Sequence, residues 1–168
     1  PVRDESNQLW LQSRSDAEGA EDAQVRVYRK VVDGIPLTVE TLIQLEVSGK
    51  SREISIGRAL LAEMIPQSLN SPLPATLAQD GSLKVQARAG TWEIRFVARG
   101  FGHNAGPLKT LALPPEQGLF AAEEVWVFQA APLIRSVSVE GATAVDPQQT
   151  TLPNDWRSLP SYLMRADT

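Results

Sequence analysis

One side chain of this sequence changes charge near neutral pH: its single histidine, His103. It lies in a Gly-rich stretch, Gly100-Phe101-Gly102-His103-Asn104-Ala105-Gly106-Pro107. A histidine there could serve as a general base or a metal ligand. A second histidine to share a metal does not exist, and there is no cysteine at all, so thiolate nucleophiles, disulfides and zinc–thiolate sites are excluded. No Gly-x-Ser-x-Gly elbow offers an activated serine. The glycines at the first, third and seventh positions of the stretch do not match a dinucleotide fingerprint, and no strand–loop–helix context surrounds them. His103 therefore reads as an exposed or capping loop residue, and with Phe101 it stays a candidate for ligand contact.

The carboxylates suggest two further chemistries. Asp16, Glu18, Glu21 and Asp22 could gather round a calcium ion, but the alternate-position ligands and closing glutamate of an EF-hand loop are missing. A solvated acidic loop is the simpler reading. Glu123 and Glu124 open a strand, so their side chains point to opposite faces. A pair of carboxylates spaced for glycoside hydrolysis, about 5–9 Å apart, stays open as an alternative, because any sandwich face can supply one. No catalytic residue, metal ligand or cofactor is assigned.

Aromatic residues carry the remaining possibility. Trp126 and Phe128 share one face of a strand whose other face holds Val125 and Val127. Such a strand is either central in a sandwich or shows an aromatic pair to a sugar ring or a neighbouring domain. Trp126, Phe128 and Phe101 are the stacking candidates on the second reading.

The elements that must position these residues are strands. Val25, Val27 and Val31 alternate with Arg26 and Lys30, with Arg29 interrupting the apolar face. Leu37, Val39, Thr41, Ile43, Leu45 and Val47 fall on one face, opposite Glu40, Gln44 and Glu46. Arg52 to Ile56 turns Ile54 and Ile56 inward. Asp33-Gly34, Asp80-Gly81 and Ala89-Gly90 are turn signals, and the last predicts a hairpin between Leu83–Ala87 and Trp92–Ala98. Gly57 to Ile65 favours one or two helical turns ended by Pro66, with a strand running into a bulge as the alternative. Further strands are expected over Leu108–Leu113, Glu124–Gln129 and Leu133–Glu140, and one helical turn at Asn154-Asp155-Trp156.

Eight to ten short strands with no long amphipathic helix between them predict an all-β fold, an antiparallel β-sandwich for which a jelly roll is one form. The organisation expected is a polar segment over 1–23, a sandwich domain over 24–145, and a Pro-containing tail over 146–168 that packs on the domain or leads to the next one. A formal charge of −4 gives no basic field for nucleic acid or for an anionic membrane surface. No window approaches the run of about 18 apolar residues that a membrane-spanning helix needs. The chain opens on Pro1 rather than Met and is read as a module of a longer polypeptide.

The run from Leu73 to Gln86, continued by Ala89-Gly90-Thr91-Trp92-Glu93-Ile94, resembles a segment of large exported or membrane-associated proteins of Gram-negative bacteria. So do Glu124-Val125-Trp126-Val127-Phe128, Asp146-Pro147-Gln148-Gln149-Thr150 and Pro153-Asn154-Asp155-Trp156-Arg157. The resemblance implies a β-domain within a multidomain envelope protein, periplasmic or in the cell envelope, and brings no activity, cofactor or site. The expected role is a non-catalytic interaction or structural module. Its partners would be neighbouring domains of the same polypeptide or another protein. The alternatives are a carbohydrate-binding sandwich and a carboxylate-only hydrolase.

The alternation places Val39, Ile43, Leu45, Ile54, Leu83, Val85, Trp92, Ile94, Phe96, Val127 and Val137 inside. Ile94→Ala should then lower the unfolding free energy by about 2–5 kcal/mol in urea denaturation. A loss under about 0.5 kcal/mol, the scale of a surface change, would reverse the assignment of faces.

Overall fold

The structure, a computed structural model, describes residues 22–57, 59–100, 119, 121–130 and 139–165. Phe101, His103, Val137, the expected strand over Leu108–Leu113 and all but the end of the one over Leu133–Glu140 lie outside them, as does the acidic loop before Asp22.

The chain folds as the sandwich-like all-β architecture that its alternation predicts. β1 (Asp22–Val32) and β2 (Thr38–Ser48) form a long antiparallel hairpin with Val27 opposite Ile43 and Val31 opposite Val39. β3 (Arg52–Ile56), β5 (Ala75–Leu77) and β6 (Leu83–Ala87) make a three-stranded sheet in the order β3-β6-β5. β4 (Met64–Asn70), β7 (Gly90–Gly100), β8 (Glu123–Gln129), β9 (Thr143–Val145) and β10 (Ser161–Arg165) complete a seven-stranded sheet, β4-β7-β2-β1-β8-β10-β9. All ladders are antiparallel except β1–β8, which is parallel. Ile43, Leu45, Ile94 and Phe96 of the large sheet pack against Ile54, Ile56, Leu83 and Val85 of the small one. Two apolar faces thus close on each other, as period-two patterning requires. Of the expected core, only Trp92 among the described residues keeps part of its surface exposed.

Three local expectations are corrected. Leu83–Ala87 and Trp92–Ala98 are not hairpin partners: β6 pairs with β3 and β5, whereas β7 pairs with β2 and β4. The turn at Ala89-Gly90 carries the chain from one sheet to the other, so the two apolar faces meet across the core instead of side by side. Alternation alone cannot separate these cases, because both bury the same residues. Gly90 permits the crossing with a φ of +141°, and a Cβ there would sit 3.1 Å from the Trp92 ring.

The second correction concerns Gly57 to Ile65, which forms no helix among its described residues. Its main chain is bound from outside: Leu60 N–H donates to the Gly81 carbonyl at 3.0 Å, and Arg29 takes the Ala59 carbonyl. Ala59 and Leu61 are drawn into the core, and Glu63 takes a positive φ of 60°. Tertiary contacts here override a modest helical propensity. Pro66 does not stop a helix; it lies in edge strand β4 beside a register shift, where a missing N–H is tolerated.

The third concerns β2, whose second face is not wet throughout. Leu42 is buried there together with Tyr28 of β1 and Val127 of β8, beneath Leu152 and Trp156. The cover comes from the segment joining β9 to β10. It holds two 3-10 turns, Pro147–Gln149 and Asn154–Trp156, the second at the expected position. Tyr28 and Thr151 share a hydrogen bond through their hydroxyls, and Lys30 Nζ sits 5.5 Å from the Trp156 ring centroid. The chain then returns as β10 between β8 and β9. Residues 143–165 therefore supply two strands and the outer cover of the large sheet.

Truncation after Gly141 should abolish cooperative thermal unfolding, because it uncovers Tyr28, Leu42 and Val127 and leaves β8 without its antiparallel neighbour. A melt unchanged in midpoint and steepness would show that this segment is dispensable to the core.

Candidate functional site

Arg29 occupies an inward position of β1, between Val27 and Val31, and its side chain is only 2% exposed. Alternation forces this: a strand cannot turn a single residue outward without a bulge. A buried guanidinium must find a carboxylate and acceptors for its remaining hydrogens. The parallel register of β1 and β8 supplies them, with Val27 opposite Glu124 and Arg29 opposite Trp126. Arg29 Nε donates to Glu124 Oε2 at 2.8 Å and Nη2 to Glu124 Oε1 at 3.0 Å, a two-pronged pair. Nη1 donates to Thr41 Oγ1 at 3.1 Å and to the Ala59 carbonyl at 2.6 Å. The Trp126 indole N–H donates to Glu124 Oε2 at 2.7 Å.

Burial alone would raise the Glu124 pKa. That effect is the largest, but the charge of Arg29 and the hydrogen bonds from Arg29 and Trp126 together outweigh it, and the carboxyl is held below its usual value of 4.5. An ionised, fully bonded carboxylate is poorly placed to donate or accept a proton in catalysis. The chemistry this arrangement performs best is cohesion: it ties β1, β2, β8 and the Ala59 loop at one point.

Of the expected site residues, Trp126 and Phe128 lie on the inner face of β8. Trp126 is 0% exposed, so its ring presents no face on which a sugar could stack. Phe128 is half-buried, 6.5 Å from Trp126 and edge-on to Tyr162 at 5.7 Å. Phe101 and His103 lie outside the described residues. Glu123 and Glu124 do diverge: Glu123 is exposed and receives Arg165 Nε at 2.8 Å, while Glu124 turns inward. No group of three or more His, Asp or Glu side chains converges to hold a metal ion among the described residues. The sequence reading missed the Arg29–Glu124 pair. Its signal was present, in an arginine at an apolar-face position of one strand and a glutamate two residues before a tryptophan in another.

Glu124→Gln should destabilise the fold by about 3–5 kcal/mol, because it strands a buried cation. Adding Arg29→Met should recover part of that loss. The pH dependence has a definite sign. Glu124 has a lower pKa folded than unfolded, so its stabilisation is complete above about pH 4.5 and is lost as the pH falls through the folded pKa. Urea titrations below that pH should fall more steeply for the wild type than for the double variant. Equal slopes would mean that the pair is not coupled to folding.

The sequence matches no protein-family model and no curated protein.

Proposed function

We propose that the chain is a non-catalytic interaction or structural module of a larger cell-envelope protein, wound as a jelly-roll-like sandwich. The observation that carries this reading is the internal commitment of the groups best suited to chemistry. Arg29 and Trp126 both donate to Glu124, and Trp156 is sealed beneath the covering segment. Edge strand β4 supports the interaction part. Pro66 to Asn70 are exposed in succession, Leu69 at 38%, and β4 pairs only with β7 among the described residues. A strand open on both faces and on one edge suits addition of a strand from a neighbouring domain, with Pro66 and the bulge confining the open stretch to its far end. The envelope context comes from the sequence resemblance.

The absence of cysteine makes site-specific labelling clean. Leu69→Cys or Gln67→Cys carrying a photo-crosslinker, in cells expressing the chain within its parent polypeptide, should join β4 to one defined polypeptide segment. The same label at Glu53, exposed on the small sheet, should not. Turnover of any member of a broad glycan panel by the purified chain, lost on replacing one Asp or Glu, would overturn the reading in favour of a carboxylate hydrolase.

A further inference from the structure

At one end of the small sheet, β3 begins, β6 ends, and the chain enters β5 through Pro72-Leu73-Pro74. The three stretches enclose an open groove of about 330 Å³. Leu73 is buried and forms its floor, with the rings of Pro72 and Pro74 exposed on either side of it. The turn that carries them is fixed by Leu73 N–H donating to Ser71 Oγ at 3.1 Å and Gln86 N–H donating to the Pro74 carbonyl at 2.9 Å.

The opposite wall is polar and cationic. Arg52 is held by main-chain oxygens, Nη1 to the Ser48 and Lys50 carbonyls, each at 3.0 Å, and Nη2 to the Asp22 carbonyl at 3.2 Å. Arg88 lies over the Trp92 ring, 4.9 Å from its centroid, and the Trp92 indole N–H donates to the Arg88 carbonyl at 2.8 Å. Arg88 is thus positioned by an aromatic face, which leaves its hydrogens available for an incoming oxyanion. Gln86 donates its amide N–H to Glu53 Oε2 at 2.8 Å, which orients the amide and leaves its oxygen to accept from a hydroxyl.

We propose that this groove binds a carboxylate-bearing sugar unit of an acidic polysaccharide. Its volume suits one or two pyranose rings. The proline rings offer flat apolar surface for the C–H face of a sugar, Arg88 takes the carboxylate, and Gln86 takes a ring hydroxyl. An extended peptide fits less well: β6, whose end lines the groove, is already flanked by β3 and β5 and has no free edge of its own for a ladder. Glu53, which accepts the Gln86 amide N–H, adds a negative charge beside the groove and so disfavours a densely charged anion. Binding here goes beyond the module reading and needs no turnover.

Titration calorimetry on the whole chain tests it with four probes: trigalacturonate, maltotriose, inorganic phosphate and a hexaglutamate peptide. Trigalacturonate should bind, weaken with added salt, and shift a fluorescence component that Trp92→Phe removes. Arg88→Ala should weaken it at least about tenfold, the scale of one lost charge-assisted hydrogen bond. Gln86→Ala, a second exposed position, should weaken it with the thermal midpoint unchanged. No binding of trigalacturonate at about 10 mM, beyond the weak end of specific recognition, overturns the proposal. Affinity equal to the wild type in the Arg88→Ala and Gln86→Ala variants overturns it also. So does equal binding of maltotriose, which removes the anion, of phosphate, which removes the sugar, or of the peptide, which replaces the ligand class.

Discussion

The Arg29–Glu124 pair is the joint on which the two parts of the large sheet turn. On one side stands the set β4-β7-β2-β1, and on the other the set β8-β10-β9. Among the described residues their only shared ladder is the parallel one between β1 and β8, whose members lie far apart in sequence: Arg29 and Glu124 are 95 residues apart. A parallel ladder is weaker per residue than an antiparallel one and needs its register specified. A slip by one residue would turn Glu124 away from Arg29 and leave a bare cation in an apolar core. A buried ion pair adds little net stability relative to apolar packing, but breaking it is expensive. Its contribution here is to make one register much better than its neighbours.

That joint also explains why the described strands can divide so unevenly between the two sheets. The three-stranded sheet covers the inner face over β1, β2 and β7. Beyond it, the inner face of β8 and β10 is filled by Trp126, Met164, Phe128 and Tyr162, with Leu61 from the chain between β3 and β4 and Met64 at the start of β4. The Ala59 carbonyl, fixed by Arg29, draws that connecting chain into place. On the outer face, Leu152 and Trp156 replace a third layer over Tyr28, Leu42 and Val127. The Trp156 indole N–H finds no hydrogen-bond partner, and its burial is held by packing and by Lys30 over its ring. An unsatisfied donor is tolerated where the apolar area gained beside it is large.

How much of this was legible depends on the range of the interaction. Strand existence and facing follow from period-two alternation, which is local, and Val39, Ile43, Leu45, Ile54, Leu83, Val85, Ile94, Phe96 and Val127 are buried as that pattern demands. The helical turn at Asn154–Trp156 was legible for the same reason. Which strands pair was not. Leu83–Ala87 and Trp92–Ala98 satisfy every local rule for a hairpin, yet Gly90 sends them to different sheets. β10 falls within the Pro-containing tail because Ser161-Tyr162-Leu163-Met164-Arg165 lacks alternation, with buried Ser161 and Met164 on opposite faces. The double-sided apolarity of β8 was visible and its central position follows from it. The site was less legible than the fold: Arg29 interrupts an apolar face, but its partner Glu124 is identified only by the distant register of β1 against β8.

The same physics bears on where such a molecule can still make contacts. Every strand near the joint is covered on both faces or pinned by charge, so a partner there would have to displace packed core. Among the described residues, two exposed places lie far from it. One is β4, separated from β1 by β2 and β7. The other is the end of the small sheet, where Arg52 and Arg88 are fixed by carbonyls and by an aromatic ring. Rigidity at the centre and accessible, preorganised groups at the rim are two consequences of one arrangement. The buried pair fixes the scaffold so firmly that side chains at its margins can be held in place for recognition without themselves supporting the fold.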